Sequence, residues 1–203
     1  MEKVFLNNDS ELNKAGIYGV NLYTLGVPHT VIVDDYLPLH SSGKTLFAAP
    51  GEDHSLWVAV LEKAFAKYYG NYLHIEGGFP EVAIRTLNGG PFLEIHNEST
   101  SVEKLWQTLL KHDQHKDLIT AASHNGSDTD TDDKGVVLGH AYTVQGVKKL
   151  SNGARLVKLR NPWGDDSWKG DYGYNSKKWT PELAAEVTEN VKDKNDGYVF
   201  MTI

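Results

Sequence analysis

The chain has 203 residues, of which 40% are hydrophobic and 23% charged, and this composition is ordinary for a globular protein. Its net charge of −7, without any run of lysine and arginine, argues against a nucleic-acid or anionic-membrane partner. No apolar stretch reaches the length of a membrane span and no signal peptide opens the chain, so we expect a cytoplasmic protein. There is no cysteine, which excludes disulfides, thiolate metal sites and thiol chemistry by these residues alone.

The first elements along the chain are two strands and a helix. Residues 17–23 and 30–35 are apolar runs that Gly26-Val27-Pro28 separates, a pattern typical of paired strands. Apolar residues then recur every three or four positions between Leu56 and Tyr68, which predicts a helix of four turns. The polar residues expected on its solvent side are Glu62, Lys63 and Lys67.

Glycines are frequent in residues 70–97, and this backbone freedom would suit a hinge or the wall of a cleft. A second helix is predicted next, because residues 100–103 fit a capping box and an apolar stripe follows from Val102 to Leu110. An acidic loop at 124–135 interrupts a final β-rich part. The strand candidates there are residues 118–122, 136–147, 154–159 and 197–203.

Two segments carry residues with chemical potential, and each lies at the end of an apolar strand. They are Gly139-His140-Ala141-Tyr142 and Arg160-Asn161-Pro162-Trp163-Gly164. Antiparallel strands joined through a turn at residues 151–153 would bring His140 and Asn161 side by side. An asparagine oxygen can orient an imidazole toward a nucleophile without placing a negative charge beside the ring, which suits a thiolate–imidazolium pair.

These two segments resemble the second half of the calpain protease core, a papain-like, two-lobed α+β fold. Four further parts of the chain are similar to that family. They are the strand and Asp-Asp-x-Leu-Pro turn at 31–38, the helix at 57–67, which resembles the family's Trp-x-x-Leu-Leu-Glu-Lys-Ala-Tyr-Ala-Lys, the glycine pairs at 77–78 and 89–90, and Trp168-x-Gly170. The resemblance divides the chain into the remainder of a first, mixed lobe at 1–78 and a second, strand-rich lobe at 79–203.

The resemblance implies an intracellular cysteine endopeptidase that takes a protein or peptide substrate in an extended conformation. His140 would be the catalytic base and acid, Asn161 would orient it, and Trp163 would form an active-site wall. Gly78 and Gly139 would bind the substrate through backbone hydrogen bonds.

The nucleophile is the main departure from the family. In the calpain family the catalytic cysteine is the first residue of a helix, in a Gly-x-Cys-Trp segment that would precede Met1. We therefore expect the fold to be truncated at the N-terminus and this chain to be inactive by itself. We would then expect association with a segment that supplies the missing helix. The alternatives are a calpain-like pseudoprotease domain that acts as a protein-binding module, and a calcium-sensing module.

Calcium is a second departure. The family implies calcium bound by acidic side chains in each lobe, but the corresponding positions hold Ser55, Ser167 and Tyr174, and only Asp196 is acidic. Since calcium prefers several charged oxygen ligands, we expect no metal at these sites and no firm cofactor.

Plainer interpretations remain for each motif. His140 could be a satisfied core histidine, Trp163 and Trp168 could be core aromatics, and the glycine pairs could only mark turns. The acidic residues 128–133 imitate the start of a calcium-binding loop, but a solvated loop is favoured. The histidines of His112-Asp113-Gln114-His115 have a metal-like spacing, yet a surface helix end is favoured.

Overall fold

A computed structural model describes residues 4–6, 13–51, 53–164, 167–187, 190–193 and 196–203. The chain divides into two compact units, Met1–Leu93 and Glu94–Ile203. In the part of the chain that is described, no helix is long and apolar enough to cross a membrane.

The first unit begins with an antiparallel hairpin. Strand β1 (Ile17–Thr24) pairs along its whole length with β2 (Val27–Asp34). Leu25 and Gly26 form the two-residue turn, and both have positive φ, 49° and 82°. Such turns match the twist of the paired strands. The predicted pair is confirmed, but β2 starts three residues earlier than residue 30 because pairing runs right up to this tight turn.

Helix α1 (Trp57–Tyr69) packs against the hairpin and confirms the predicted helix. The prediction that its polar residues lie in water is wrong for Glu62 and Lys63, which are half-buried. Lys67 is exposed as predicted and donates to the Ile32 carbonyl at 2.7 Å. The Lys63 ammonium pairs with the Asp34 carboxylate, and the Glu62 carboxylate accepts the Ala48 N–H at 2.8 Å. The buried core of this unit consists of Phe5, Val20, Leu22, Val33, Val60 and Ala64.

The glycine-rich segment of the first unit contains a helix that we did not predict. A 3₁₀ turn at Tyr72–Ile75 is followed by α2 (Pro80–Asn88), which packs on β1. Its signals are present in the sequence: proline at the first helical position and Gly89 at the end, with φ of 68°. The predicted lobe boundary at 78/79 therefore differs from the division into units, since α2 belongs to the first.

The second unit opens with a 3₁₀ turn at Asn97–Ser99 and helix α3 (Val102–His115). Its N-cap is Ser101, whose hydroxyl accepts the Lys104 N–H at 3.3 Å. The helix therefore starts one residue later than the predicted N-cap Thr100, and no capping box forms because Lys104 stands at the position that needs a glutamate. The Glu103 carboxylate instead accepts hydrogen bonds from Gln107 at 2.8 Å and Arg155 at 2.6 Å.

The second unit contains a four-stranded antiparallel sheet in chain order. It consists of β3 (Ile119–Ala122), β4 (Ala141–Lys149), β5 (Arg155–Arg160) and β6 (Tyr198–Thr202), and a short helix α4 (Pro181–Ala185) precedes β6. All four predicted strands exist, but β4 begins at Ala141 instead of residue 136. Val137 instead forms an isolated bridge with Thr131 of the acidic loop, and Gly139 has a φ of 54°, which a regular strand does not allow.

Two apolar clusters support the sheet. Tyr142, Leu159 and Val199 form one, with partly buried neighbours that include Trp168. The larger cluster consists of Leu150, Leu156, Tyr172, Trp179, Leu183, Val191 and Phe200. The arrangement of helices and antiparallel strands confirms the predicted α+β class.

Candidate active site

Strand register brings the two predicted site residues together. His140 directly precedes β4 and Asn161 directly follows β5, and the two strands are paired up to Thr143 and Arg160. The turn that joins them closes at residues 150–154, as predicted. The Nε2 atom of His140 lies 2.9 Å from Oδ1 of Asn161, within hydrogen-bond distance.

A second donor to the Asn161 side chain fixes the direction of that hydrogen bond. The backbone N–H of Trp163 also points at Oδ1 of Asn161, at 3.1 Å. A backbone amide can only donate, so the shared atom must be the carboxamide oxygen. Nε2 of His140 is therefore the protonated nitrogen, and in the neutral ring Nδ1 is left with the lone pair that a proton-transfer step needs.

Asn161 is held firmly for this task. Its side chain is 2% exposed, so its oxygen acts in an environment that water hardly reaches. Its own N–H donates to the Gly197 carbonyl at 2.8 Å, and its carbonyl accepts the Gly164 N–H at 3.1 Å and a contact from the Arg160 guanidinium. The residue that orients the imidazole is thus fixed at both main-chain ends.

Two aromatic rings enclose the imidazole of His140. The Trp163 indole lies 4.3 Å from it between ring centroids, tilted by 46°, and the Tyr142 ring meets it edge-on at 4.9 Å. Trp163 is 53% exposed, so it covers the imidazole from the solvent side and is not a core aromatic. Tyr142 is buried, and its hydroxyl accepts the Val137 N–H at 3.2 Å.

The two glycines predicted to bind substrate differ in their surroundings. Gly139 precedes His140, and its N–H donates to the His124 carbonyl at 2.8 Å, so only its carbonyl could meet a peptide. A methyl group at Gly139 would lie 2.4 Å from the Gly126 carbonyl oxygen. Gly78 belongs to the first unit and lies exposed before α2, and a methyl group added there would have no atom within 4 Å.

The positions that the family resemblance assigns to calcium are engaged in other contacts. The Ser167 hydroxyl donates to the Gly135 carbonyl at 2.7 Å, the Ser55 N–H donates to the Asp53 carboxylate at 3.0 Å, and Asp196 accepts the Tyr198 N–H at 2.9 Å. These donor sets do not fit an ion that requires several charged oxygens. Within the described residues, no group of three or more histidine, aspartate or glutamate side chains is placed to hold a metal.

The two other metal-like motifs form local polar contacts. Asp132 of the acidic loop accepts the N–H groups of Lys134 at 2.9 Å and Val136 at 2.8 Å, which is a turn-stabilising role. His112, in the last turn of α3, pairs with Asp117 at 2.7 Å. Both motifs therefore stabilise chain reversals.

Sequence reasoning missed two residues that contact His140. The sequence pattern marked Tyr142 only as part of the Gly139-His140-Ala141-Tyr142 segment, although residues two apart in an extended chain, as the predicted strand at 136–147 has them, lie on the same face. Ser123, which bonds to the main chain of His140, was not singled out at all. Its signal was its place at the end of the strand that pairs with β4.

An imidazole hydrogen-bonded to an asparagine carboxamide is an arrangement that papain-like cysteine proteases use. The comparison with known families agrees with this class. The profile described as calpain family cysteine protease matches residues 1–203, and the chain belongs to that family. The sequence nevertheless has no cysteine.

Several curated relatives share about a third of their aligned residues with this chain. It is 36% identical over 199 residues to "Calpain-type cysteine protease DEK1" of Arabidopsis thaliana, covering 95% of this chain and 9% of the relative. It is 34% identical over 201 residues to "Calpain-14" of Homo sapiens, covering 98% and 29%. To "Calpain-1 catalytic subunit" of Mus musculus it is 33% identical over 194 residues, covering 93% and 27%. The chain thus spans less than a third of each of these relatives.

Proposed function

We propose that this chain provides most of the catalytic core of an intracellular, calpain-like cysteine endopeptidase, and specifically the proton-transfer half of its site. The observation that carries the proposal is the contact between His140 Nε2 and Asn161 Oδ1 at 2.9 Å, with the direction set by the Trp163 N–H. Among the described residues, this pair is the arrangement best suited to acyl-transfer chemistry.

Each residue of the pair has a distinct part in the proposed reaction. A thiolate supplied by another segment would attack the peptide carbonyl, and His140 would deliver the proton that the departing amine needs. Water would then hydrolyse the acyl-enzyme, with His140 taking its proton. Asn161 would keep the ring in the reactive orientation throughout, and the Trp163 indole would shield the hydrogen bond between them.

The proposed substrate is a polypeptide in an extended conformation, which a protease reads through its backbone. Gly139 would offer its carbonyl oxygen, since its N–H already bonds to His124. Gly78 would be a second substrate contact. Because these 203 residues contain no thiol, we expect the chain by itself to show no thiol-dependent proteolysis.

The test uses both this chain and the natural full-length protein. A fluorogenic peptide and an unstructured protein are offered under reducing conditions, with a thiol-directed epoxide inhibitor as a control. We expect no turnover by the 203-residue chain, and inhibitor-sensitive turnover by the full-length protein that His140→Ala removes. Thiol-dependent turnover by the chain alone would overturn the proposal, as would unchanged turnover in the full-length His140→Ala variant.

The absence of cysteine also favours a second candidate, a calpain-like pseudoprotease domain that binds proteins. The two candidates differ in whether the natural protein carries a nucleophile joined to these residues. A full-length sequence with a Gly-x-Cys-Trp helix supports the enzyme, and one without a nucleophile supports the binding module. In the second case an extended peptide should bind to the full-length protein without being cleaved.

A further inference from the structure

Ser123 bonds to the main chain of His140 through both its backbone and its side chain. The Ser123 N–H donates to the His140 carbonyl at 3.0 Å. The Ser123 hydroxyl accepts the His140 N–H at 2.9 Å and lies 3.2 Å from the His140 carbonyl, to which it donates. One hydroxyl can do both because it has one proton and two lone pairs.

This contact replaces the last regular step of the sheet. The pairing of β3 with β4 ends at Ala122 and Ala141, so the next pair in register would be Ser123 and His140. In an antiparallel ladder the His140 N–H would bond to the backbone carbonyl of that partner. Here the Ser123 side chain takes the place of its carbonyl.

Because the Ser123 hydroxyl accepts the His140 N–H, the chain can leave the sheet at His140 without an unpaired backbone amide. Immediately beyond it, Gly139 adopts a φ of 54° and its N–H donates to the His124 carbonyl at 2.8 Å. A regular strand would continue straight through this point. Both main-chain polar groups of His140 are thus bonded to one residue, which restrains its backbone dihedral angles and so the direction in which the Cα–Cβ bond points.

We propose that Ser123 is a second positioning residue for His140, which acts on its main chain while Asn161 acts on its ring. By fixing the main chain of His140, its hydroxyl sets the ring so that Nε2 reaches Asn161 and Nδ1 is presented to a reacting group. The inference deepens the proposed function and rests on it for the role of Nδ1. Ser123 acts through His140 and makes no contact with substrate in this scheme.

The test is nuclear magnetic resonance of the chain labelled with ¹⁵N in its histidines, at neutral pH. In the unaltered chain we expect His140 to show the Nε2-protonated tautomer and a slowly exchanging Nε2 proton. In Ser123→Ala we expect the Nε2 proton to exchange roughly tenfold faster, as for the loss of one hydrogen bond, and the ring nitrogen shifts to move toward a tautomer mixture.

Two sets of variants distinguish a specific effect on His140 from a general destabilisation of the surrounding structure. Ser123→Thr and Ser123→Val have nearly the same shape, but only threonine keeps the hydroxyl, so threonine should preserve the His140 signals and valine should not. Ser127→Ala removes another serine of the same loop, one whose hydroxyl bonds to Thr129 at 2.7 Å, and should leave His140 unchanged. Circular dichroism confirms that each variant is folded.

Three results would overturn the inference: His140 signals that do not change in Ser123→Ala, equal changes in the threonine and valine variants, or equal changes in Ser127→Ala. If the alanine and valine variants do not fold, amide exchange in the unaltered chain still tests the inference. The inference then requires the His140 amide to exchange as slowly as the amides of β4, and exchange at the rate of the open loop contradicts it. None of these readings depends on proteolysis, so a failure of the proposed enzyme activity is recognised separately.

Discussion

His140 and Trp163 share one hydrogen-bond acceptor. Nε2–H of His140 and the backbone N–H of Trp163 both donate to Oδ1 of Asn161, at 2.9 and 3.1 Å, while the indole of Trp163 lies 4.3 Å from the imidazole. The buried Oδ1 atom of Asn161 therefore fixes both the tautomer of the His140 ring and the main-chain position of Trp163, whose indole covers that ring. A substitution at Asn161 or Trp163 should therefore change the tautomer or the proton exchange of the His140 ring.

Removal of this oxygen should affect both stability and tautomer. In Asn161→Ala, the Trp163 N–H and the His140 Nε2–H lose their common acceptor in a nearly water-free place, so we expect a loss of about 1–3 kcal/mol in the free energy of unfolding. The His140 ring should also become a mixture of tautomers. Urea unfolding measures the first effect and ¹⁵N resonance the second.

The matched control is Asn175→Ala, since Asn175 is exposed. It should change the free energy of unfolding by less than about 0.5 kcal/mol. Equal destabilisation by the two variants would show that Oδ1 of Asn161 has no special part in the unit.

Position 139 requires a glycine for two reasons, its positive φ and the lack of room for a side chain. Its φ is 54°, and an added methyl group would lie 2.4 Å from the Gly126 carbonyl oxygen. Gly153 has a φ of 89° but nothing within 4 Å of the same position. We expect Gly153→Ala to cost about 1 kcal/mol from backbone strain alone, and Gly139→Ala distinctly more. Thermal or urea unfolding of the two variants measures the difference, and similar losses would contradict the steric part.

The sequence was most informative where local rules and tertiary structure agree. The pairing of His140 with Asn161 could be predicted because two apolar runs joined by a short turn have one simple arrangement, an antiparallel pair. The hairpin in the first unit and the helices α1 and α3 followed from periodicity in the same way. The resemblance to the calpain family then suggested catalytic roles for the two residues.

The remainder depended on contacts between residues distant in sequence. No pattern shows that the Ser123 hydroxyl would replace a backbone carbonyl opposite His140, because this requires the register of β3 on β4. The same holds for Lys63, whose partner Asp34 lies on the preceding strand. Helix α2 escaped prediction for a different reason: proline and glycine are as typical of loops as of the two ends of a helix.

The Trp163 ring should protect the hydrogen bond without determining its direction. Trp163→Ala removes the indole but keeps the backbone N–H that donates to Asn161, so the His140 tautomer should stay the same. The Nε2 proton should exchange several-fold faster because water reaches the bond more easily. Trp163→Phe should preserve most of the protection. A tautomer change in the alanine variant, or no change in exchange, would contradict this division of roles.

Asp34 should link the stability of the first unit to acid. Its carboxylate accepts hydrogen bonds from the Lys63 ammonium and the Tyr36 N–H, and these contacts hold its pKa below the ordinary value of 3.8. Above pH 3.8 the stabilisation is fully present, and it is lost as pH falls through the lowered pKa of the folded state. Asp34→Asn should therefore flatten the part of the decline in urea midpoint that lies below pH 3.8, and leave the midpoint above that pH without any change in slope. Lys63→Met should flatten most of the same part, because the Tyr36 N–H still lowers the pKa of Asp34, and the double variant should decline no more steeply than Asp34→Asn. Independent, additive effects of the two substitutions would show that the Lys63 contact is not what lowers the pKa of Asp34.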